Sequence, residues 1–246
     1  MGTVLVFHDV TRLRRLESLR RDFVANVSHE LKTPITSIQG FVETLIDGAM
    51  ESSEDANRFL AIISKQSQRL ARIVDDLLSI SRLEDDGVKD SLRKEVVTTE
   101  EIFLHSVQPC SFAASKKKLS ILNKSNEIFK IVVDGHLVEQ ALSNLFTNAI
   151  KYSDQGGEIH FNCEVNGREV VFSVQDFGVG IPDEHFSRLF ERFYRVDKAR
   201  SRKLGGTGLG LAIVKHIAQA HSGRVAVESK VGEGSKFSLH LPNALA

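Results

Sequence analysis

The sequence has little of what a disulfide-linked, metal-binding or membrane-spanning protein needs. Its two cysteines, Cys110 and Cys163, form no CxxC pair and lie among apolar residues, which predicts reduced core side chains. The nine histidines show no cluster with the spacing of metal ligands. No stretch approaches the roughly 18 to 20 apolar residues of a membrane span. The N-terminus also lacks the regions of a signal peptide, so we expect a soluble, cytoplasmic chain.

An excess of charge of either sign is also missing. Thirty-two basic residues balance 32 acidic ones among 246, which argues against a protein that wraps nucleic acid or lies on an anionic membrane. Recognition of phosphate must therefore depend on a local site. The length favours two domains over one.

Two helical patterns are present in the first third of the chain. Residues 9–48 carry apolar side chains at spacings of three, four and seven, and residues 54–84 keep a heptad seam. Gly48 breaks the pattern, and Ser53 is predicted to cap the second helix. Two such hairpins bury a closed core, so we predict a homodimer with a four-helix bundle. A coiled-coil stalk without chemistry is the alternative.

An acidic, glycine-bearing run at 84–90 interrupts the heptads and marks a domain boundary. Beyond it the patterns of helices and strands interleave, which predicts an α/β sandwich. The predicted helices are 99–112, 135–151 and 208–220, and the predicted strands are 119–122, 128–133, 157–165, 168–175, 224–229 and 235–241.

His29 is the most informative residue of the first helix. It lies two positions from both Val27 and Leu31, so the helical period turns it away from the apolar stripe and toward solvent. An exposed imidazole is largely neutral at pH 7, and its ring nitrogen can attack phosphorus. Thr33 lies on the same face one turn away, and Glu30 reaches the ring only with a bent rotamer. Pro34 predicts a bend that can expose or hide His29.

A candidate phosphate site follows in the second half. Asn144, Asn148 and Lys151 lie opposite the apolar stripe of the 135–151 helix, where amide oxygens suit a hard cation or phosphate-bound water; a solvated polar face is the alternative. Asp176, two residues before Gly178, can accept a hydrogen bond from an exocyclic amine such as that of adenine. The loop 205–211 is glycine-rich and opens a helix, which suits phosphate.

Neither glycine loop is specific by itself, since the first is not a Rossmann fingerprint and the second lacks the GK[ST] ending of a P-loop. The basic run 198–203 between them predicts a lid that contacts phosphate. A disordered loop is the alternative interpretation of that run.

Five ordered segments, 28–34, 144–152, 176–180, 190–194 and 206–210, resemble the motifs of the sensor histidine kinases of bacterial two-component systems. The resemblance covers nearly the whole chain, and no motif position departs from it. It implies a dimerisation and phosphotransfer domain at 22–84, a linker at 85–94, and at 95–246 an ATP-binding domain of the gyrase type. It also implies that 1–21 ends a PAS-like sensor, with a transmembrane segment upstream and the full-length protein at the cell membrane.

The resemblance further implies a role for each site residue. His29 is the phospho-acceptor, Glu30 the acid or base beside it, and Thr33 the residue that positions water when the protein dephosphorylates its partner. Asn148 is the Mg2+ ligand, and Asp176 accepts a hydrogen bond from the adenine amine. Asn144 and Lys151 contact phosphates, Tyr152 stacks near the adenine, Arg195 approaches the γ-phosphate, and Gly178, Gly180, Gly206, Thr207, Gly208, Leu209 and Gly210 form the glycine loops.

The expected activity is transfer of the γ-phosphoryl group of ATP, with Mg2+, to His29 and then to an aspartate of a response-regulator receiver domain. A phosphatase activity toward that regulator is expected as well. Two alternatives stay open: a gyrase-like ATPase, and a nucleotide-binding dimeric scaffold that transfers nothing.

Overall fold

A computed structural model describes residues 10–84, 92–197 and 205–242. The chain divides into two compact units, Met1–Ile73 and Val74–Ala246. No helix in the described ranges is both long enough and apolar enough to cross a bilayer. The predictions for residues 1–9, for 85–91 of the linker and for the lid at 198–203 lie outside the described residues.

The first unit is a helical hairpin. Helix α1 spans Thr11–Ile46 and continues through Pro34, a 3-10 turn spans Ala49–Glu51, and helix α2 spans Ser53–Leu83. Phe41 and Phe59 stack across the two helices with ring centroids 5.4 Å apart. The predicted hairpin is therefore confirmed.

The start of α2 differs in one detail from the prediction. The hydroxyl of Ser52, and not that of Ser53, accepts a hydrogen bond from the backbone N–H of Asp55 at 3.3 Å. Ser53 is already the first helical residue. The predicted cap was wrong by one residue because the two adjacent serines are equivalent by residue type.

The second unit combines the end of α2 with an α/β fold. A five-stranded sheet has the order β2-β4-β5-β7-β6, in which only the β2–β4 pair is parallel, and β1 pairs with β3 separately. The strands are β1 Glu95–Thr98, β2 Ser120–Asn123, β3 Lys130–Val133, β4 Glu158–Asn166, β5 Glu169–Asp176, β6 Arg224–Lys230 and β7 Gly234–Pro242. The helices are α3 Thr99–Val107, α4 Ser111–Lys116, α5 Gly135–Tyr152 and α6 Gly210–Ala220, with 3-10 turns at Gln108–Cys110 and Asp183–Arg188.

The core of this unit lies between the helices and the sheet. Phe161 of β4 contacts Phe103 of α3 and Phe146 of α5, with centroids 4.8 and 6.0 Å away. Leu142 and Ile213 contribute fully buried side chains from α5 and α6. Both cysteines are free and buried, as predicted, and burial raises the pKa of Cys163 to about 12. The sandwich thereby fixes the two helices that carry the candidate site.

Two local predictions in this unit were incomplete. The predicted 99–112 helix is interrupted by the 3-10 turn that contains Pro109, because proline has no N–H for the helical ladder. Strand β1 was missed: its apolar signal is limited to Val96 and Val97, and its pairing with β3 is a tertiary contact.

Candidate functional site

His29 lies on an exposed face of α1, as predicted from the helical period. Thr33, one turn later, donates its hydroxyl proton to the backbone carbonyl of His29 at 3.0 Å. The hydroxyl of Ser28 bonds in the same way to the carbonyl of Val24 at 2.9 Å. The two hydroxyls that flank His29 thus bond along the helix, and the imidazole stands at the surface of this unit.

Glu30 does not share the exposure of its neighbour. Its side chain is buried, and Oε2 accepts a hydrogen bond from Nη2 of Arg69 on α2 at 2.8 Å. The resemblance implied an acid or base directed at His29, whereas in this structure the carboxylate is directed at α2. Sequence reasoning missed Arg69, although it lies four residues before the buried Ile73 and therefore on the same helical face.

Asp176 ends strand β5 and is 5% exposed. Its Oδ1 accepts the backbone N–H of Gly178 at 3.0 Å, and the backbone N–H of Ser235 also donates to the carboxylate. Burial raises the pKa of Asp176 above its ordinary value, and these two hydrogen bonds partly oppose that shift. A carboxylate held in this way can accept a hydrogen bond from an amine.

The two glycines after Asp176 permit close approach of backbone segments. A Cβ on Gly178 would lie 2.1 Å from the carbonyl oxygen of Tyr152, at the end of α5. Gly180 has a φ of +66°, and a Cβ there would lie 2.0 Å from the carbonyl oxygen of Lys230. Both positions therefore exclude any larger residue, and the turn is held directly against the end of α5.

Helix α5 carries the predicted polar stripe. Asn144, Asn148, Lys151 and Tyr152 are half-buried, whereas Leu145 and Ala149 are buried. A Cβ on Gly210 would lie 3.2 Å from Oδ1 of Asn144. The asparagine stripe and the second glycine loop therefore lie next to each other, so that both can belong to one site.

The second glycine loop is tied to the segment before it. Gly208 has a φ of +79°, and its carbonyl accepts the N–H of Phe193 at 2.8 Å. Nη2 of Arg195 donates to the carbonyls of Gly206 and Thr207 at 2.9 and 2.8 Å. In this structure Arg195 therefore bonds to the loop itself, whereas the resemblance implied a contact with the γ-phosphate.

Thr207 makes a contact that the sequence did not predict. Its Oγ1 donates to Oδ2 of Asp76 on α2 at 2.8 Å, and it accepts the N–H of Leu209 at 3.2 Å. Asp76 lies four residues before the buried Ile80, so the helical period was the available signal. The hydroxyl of Thr207 is thus engaged within the second unit, with the part of α2 that belongs to it.

The side chains of the candidate site fit Mg2+ that arrives with a nucleotide. Among the described residues, no group of three or more histidine, cysteine, aspartate or glutamate side chains is arranged to hold a metal ion. Magnesium commonly takes few protein ligands, with phosphate oxygens and waters filling the other positions. A half-buried amide oxygen such as that of Asn148 suits that mode.

Two protein families match successive parts of the chain. The His Kinase A (phospho-acceptor) domain matches residues 19–86, and the histidine kinase-, DNA gyrase B- and HSP90-like ATPase matches residues 133–245. His29 and Glu30 lie in the first match, and the asparagine stripe and both glycine loops lie in the second.

Individual relatives agree with both matches. The sensor histidine kinase WalK of Bacillus subtilis is 38% identical over 243 residues, which cover 98% of this chain and 39% of that protein. The structure of histidine kinase ThkA in complex with response regulator protein TrrA aligns with a TM-score of 0.73 at 25% identity, covering 96% of this chain and 68% of that one. Full-length ShkA in complex with AMPPNP aligns with a TM-score of 0.68 at 27% identity, covering 92% and 46%.

This chain spans about two fifths of the length of its Bacillus relative. Two observations identify the family. A phospho-acceptor domain is followed by an ATPase domain of the histidine-kinase type, and sensor histidine kinases align with 98% of this chain. The chain belongs to the two-component sensor histidine kinases.

Proposed function

We propose that the chain transfers the γ-phosphoryl group of ATP to a ring nitrogen of His29. The observation that supports this most is the combination, in one chain, of an exposed imidazole on α1 and a buried Asp176 beside glycine loops. The unprotonated ring nitrogen of an imidazole carries a lone pair that can attack phosphorus. The lone pair of the nitrogen forms the new N–P bond, the bond from phosphorus to the β,γ-bridging oxygen breaks, and ADP leaves.

We assign nucleotide binding to the region formed by Asp176, the polar stripe of α5 and the glycine loops, because these groups suit the parts of ATP. The carboxylate of Asp176 accepts a hydrogen bond from the adenine amine, and Tyr152 stacks near the ring. Asn144, Lys151 and the amides of 206–210 contact phosphates, with Arg195 approaching the γ-phosphate once it leaves the loop carbonyls that it now contacts. Bound Mg2+, held by Asn148 and phosphate oxygens, would offset charge on the triphosphate. Positioning and electrostatics dominate such transfers.

Glu30 is assigned as the acid or base beside His29. This role requires its carboxylate to exchange the Arg69 contact for one with the ring. Thr33 is assigned to position water during dephosphorylation of the partner, which requires its hydroxyl to rotate away from the His29 carbonyl.

A receiver domain is proposed as the second acceptor, and a second copy of this chain as the dimer partner. The ThkA relative is described in complex with a response regulator protein. Exposed Gly40 and Thr44, beyond His29 on α1, are the predicted contact surface for the regulator. Exposed apolar side chains on the hairpin, including Val24, Leu60 and Val74, suit burial in a four-helix bundle. A membrane-anchored sensor upstream stays a prediction.

Incubation with γ-labelled ATP and Mg2+ separates the three candidate functions. Label that is acid-labile and alkali-stable, and that is lost in His29→Gln, supports the kinase. Release of phosphate without labelled protein favours the gyrase-like ATPase, and nucleotide binding with neither result favours the scaffold. His136→Gln, which removes a side chain that is 93% exposed, is the matched control and should label normally. Asn148→Ala should abolish labelling while the dimer stays folded.

A further inference from the structure

Helix α5 ends at the candidate nucleotide site, and the partners of its last carbonyl groups can be accounted for. A helix leaves its last four carbonyls without partners in the helix. The backbone N–H and the hydroxyl of Ser153 both donate to the Ala149 carbonyl, at 2.9 and 2.8 Å. The Tyr152 carbonyl lies against Gly178 of the first glycine loop. The other carbonyls here are those of Ile150 and Lys151 in the last turn and that of Ser153, the residue that follows the helix.

All three of these carbonyls accept hydrogen bonds from one side chain. Nζ of Lys117 lies 2.8 Å from the Ile150 oxygen, 2.9 Å from that of Lys151 and 3.1 Å from that of Ser153. The three donors of an ammonium group are thus all used. A cation here also complements the negative end of the helix dipole.

The backbone of Lys117 is fixed to the same region. Its carbonyl accepts the N–H of Gly156, in the turn after α5, at 3.0 Å. The next residue, Lys118, has a φ of +56°, and the chain then enters β2. Lys117 is therefore held at two points: its backbone carbonyl bonds to the turn, and its ammonium group bonds to the end of α5.

We propose that Lys117 is a positioning residue of the nucleotide site. One side of the last turn of α5 is fixed by the Lys117 ammonium, and the other side rests on Gly178 with no space for a Cβ. Moving this turn by a few tenths of an ångström changes the fit between Tyr152 and the loop that begins at Asp176. Lys117 thereby sets the geometry of the adenine end without contacting nucleotide. This inference rests on the nucleotide assignment of the proposed function.

The affinities of ATP and adenosine, measured on the full chain by competition against a fluorescent nucleotide, test the proposal. Lys117→Met keeps the length of the side chain and removes the ammonium. It should weaken ATP and adenosine alike, by about tenfold, the factor that corresponds to one charge-assisted hydrogen bond. Lys117→Arg, which keeps donors and charge, should restore most of the affinity for both.

Two controls separate positioning from general stability. Lys116→Met removes the exposed neighbouring ammonium and should bind both ligands within about twofold of wild type. Thr98→Ala removes the N-cap of α3 and should lower the melting temperature without changing either affinity. If Lys117→Met does not fold, Lys117→Gln replaces it, with the same expected direction.

Three results have distinct meanings. A folded Lys117→Met protein with wild-type affinities contradicts the positioning role. Loss of ATP affinity with unchanged adenosine affinity also contradicts it, since the ammonium would then contact phosphate itself. Failure of the wild-type chain to bind ATP overturns the proposed function instead.

Discussion

The guanidinium of Arg69 and the carboxylate of Glu30 form an ion pair at 2.8 Å that joins α2 to α1 one residue from His29. Both side chains are 11% exposed, so solvent screens the pair little. The contact stabilises the hairpin beside His29. It also restrains the carboxylate that is proposed to serve His29.

A double-mutant cycle on this pair should show strong coupling. Arg69→Met and Glu30→Gln each remove one partner of a buried pair, and the double variant should lose less than the sum of the two. We expect a coupling free energy of roughly 1–3 kcal/mol, measured by urea unfolding. The exposed pair Arg58–Asp55, also 2.8 Å apart, is the matched control, with an expected coupling below about 0.5 kcal/mol. Additive costs at Glu30 and Arg69 would contradict the buried pair.

Asp176→Asn should stabilise the nucleotide-free protein and weaken its binding of ATP. Burial raises the pKa of Asp176, so folding at neutral pH buries a carboxylate at a cost. Between the ordinary and the raised pKa, stability falls as pH rises. The variant removes that cost, and its melting temperature at pH 7 should therefore increase. It also replaces one acceptor oxygen by an amide NH2 donor, which should weaken the affinity for ATP about 10- to 100-fold.

The pH dependence of Asp176→Asn provides the check. The difference in melting temperature between variant and wild type should shrink as pH falls through the raised pKa of Asp176, because the wild-type carboxyl becomes neutral. Unchanged ATP affinity in the variant would count against the assignment of Asp176 to adenine.

Gly180→Ala and Gly167→Ala should differ in their cost. Both glycines lie in the left-handed region, with φ of +66° for Gly180 and +63° for Gly167. A Cβ on Gly180 would lie 2.0 Å from the carbonyl oxygen of Lys230, whereas a Cβ on Gly167 would have no atom within 4 Å. Gly167→Ala should cost about 1 kcal/mol of unfolding free energy, the strain of that conformation alone. Gly180→Ala should cost clearly more and reduce ATP binding. Equal costs in urea unfolding would show that the turn can relax.

His216 should contribute to acid sensitivity. Its Nε2 lies 3.3 Å from Oε1 of Glu84, a distance that suits an ion pair. Burial first, and then the positive charges of Arg192 and Lys215, nevertheless lower the pKa of His216 to about 4, so we interpret the contact as one with a neutral ring. The unfolded chain takes up a proton near pH 6.5, so stability should fall as pH drops from there toward 4.

The measurement for His216 is unfolding free energy against pH. His216→Gln should show a shallower loss between pH 6.5 and 4 than wild type, corresponding to about one proton fewer taken up on unfolding. His136→Gln, the exposed control, should follow the wild-type curve. If His216→Gln follows that curve too, the ring is not held neutral.

Most of the architecture could be predicted because it follows from local periodicity. The hairpin and the 135–151 and 208–220 helices have strong apolar stripes, and the long strands β4, β5 and β7 have β-branched runs. Strand β1 could not be predicted, since two valines become a strand only through pairing with β3. Pro109 was visible in the sequence, but the helical pattern on both sides of it led to the prediction of one uninterrupted helix.

The residues of the candidate site could be proposed from the sequence, whereas the contacts that they make could not. Short motifs in a fixed order single out His29, Asp176 and both glycine loops as candidates. The contacts Glu30–Arg69, Thr207–Asp76 and Lys117 with the end of α5 join residues at least 33 positions apart. Packing decides which charged side chain of a helix is buried. The pattern of a single sequence indicates the buried face of the helix but not the partner of each side chain.

Mapping the phosphoryl group by mass spectrometry under alkaline conditions, after incubation with ATP and Mg2+, shows whether His29 is the residue that accepts it. We expect phosphohistidine at His29, absent from the Asn148→Ala variant and unchanged in His136→Gln. A phosphoryl group on any other residue, or a chain that consumes ATP while His29 stays unmodified, would contradict it.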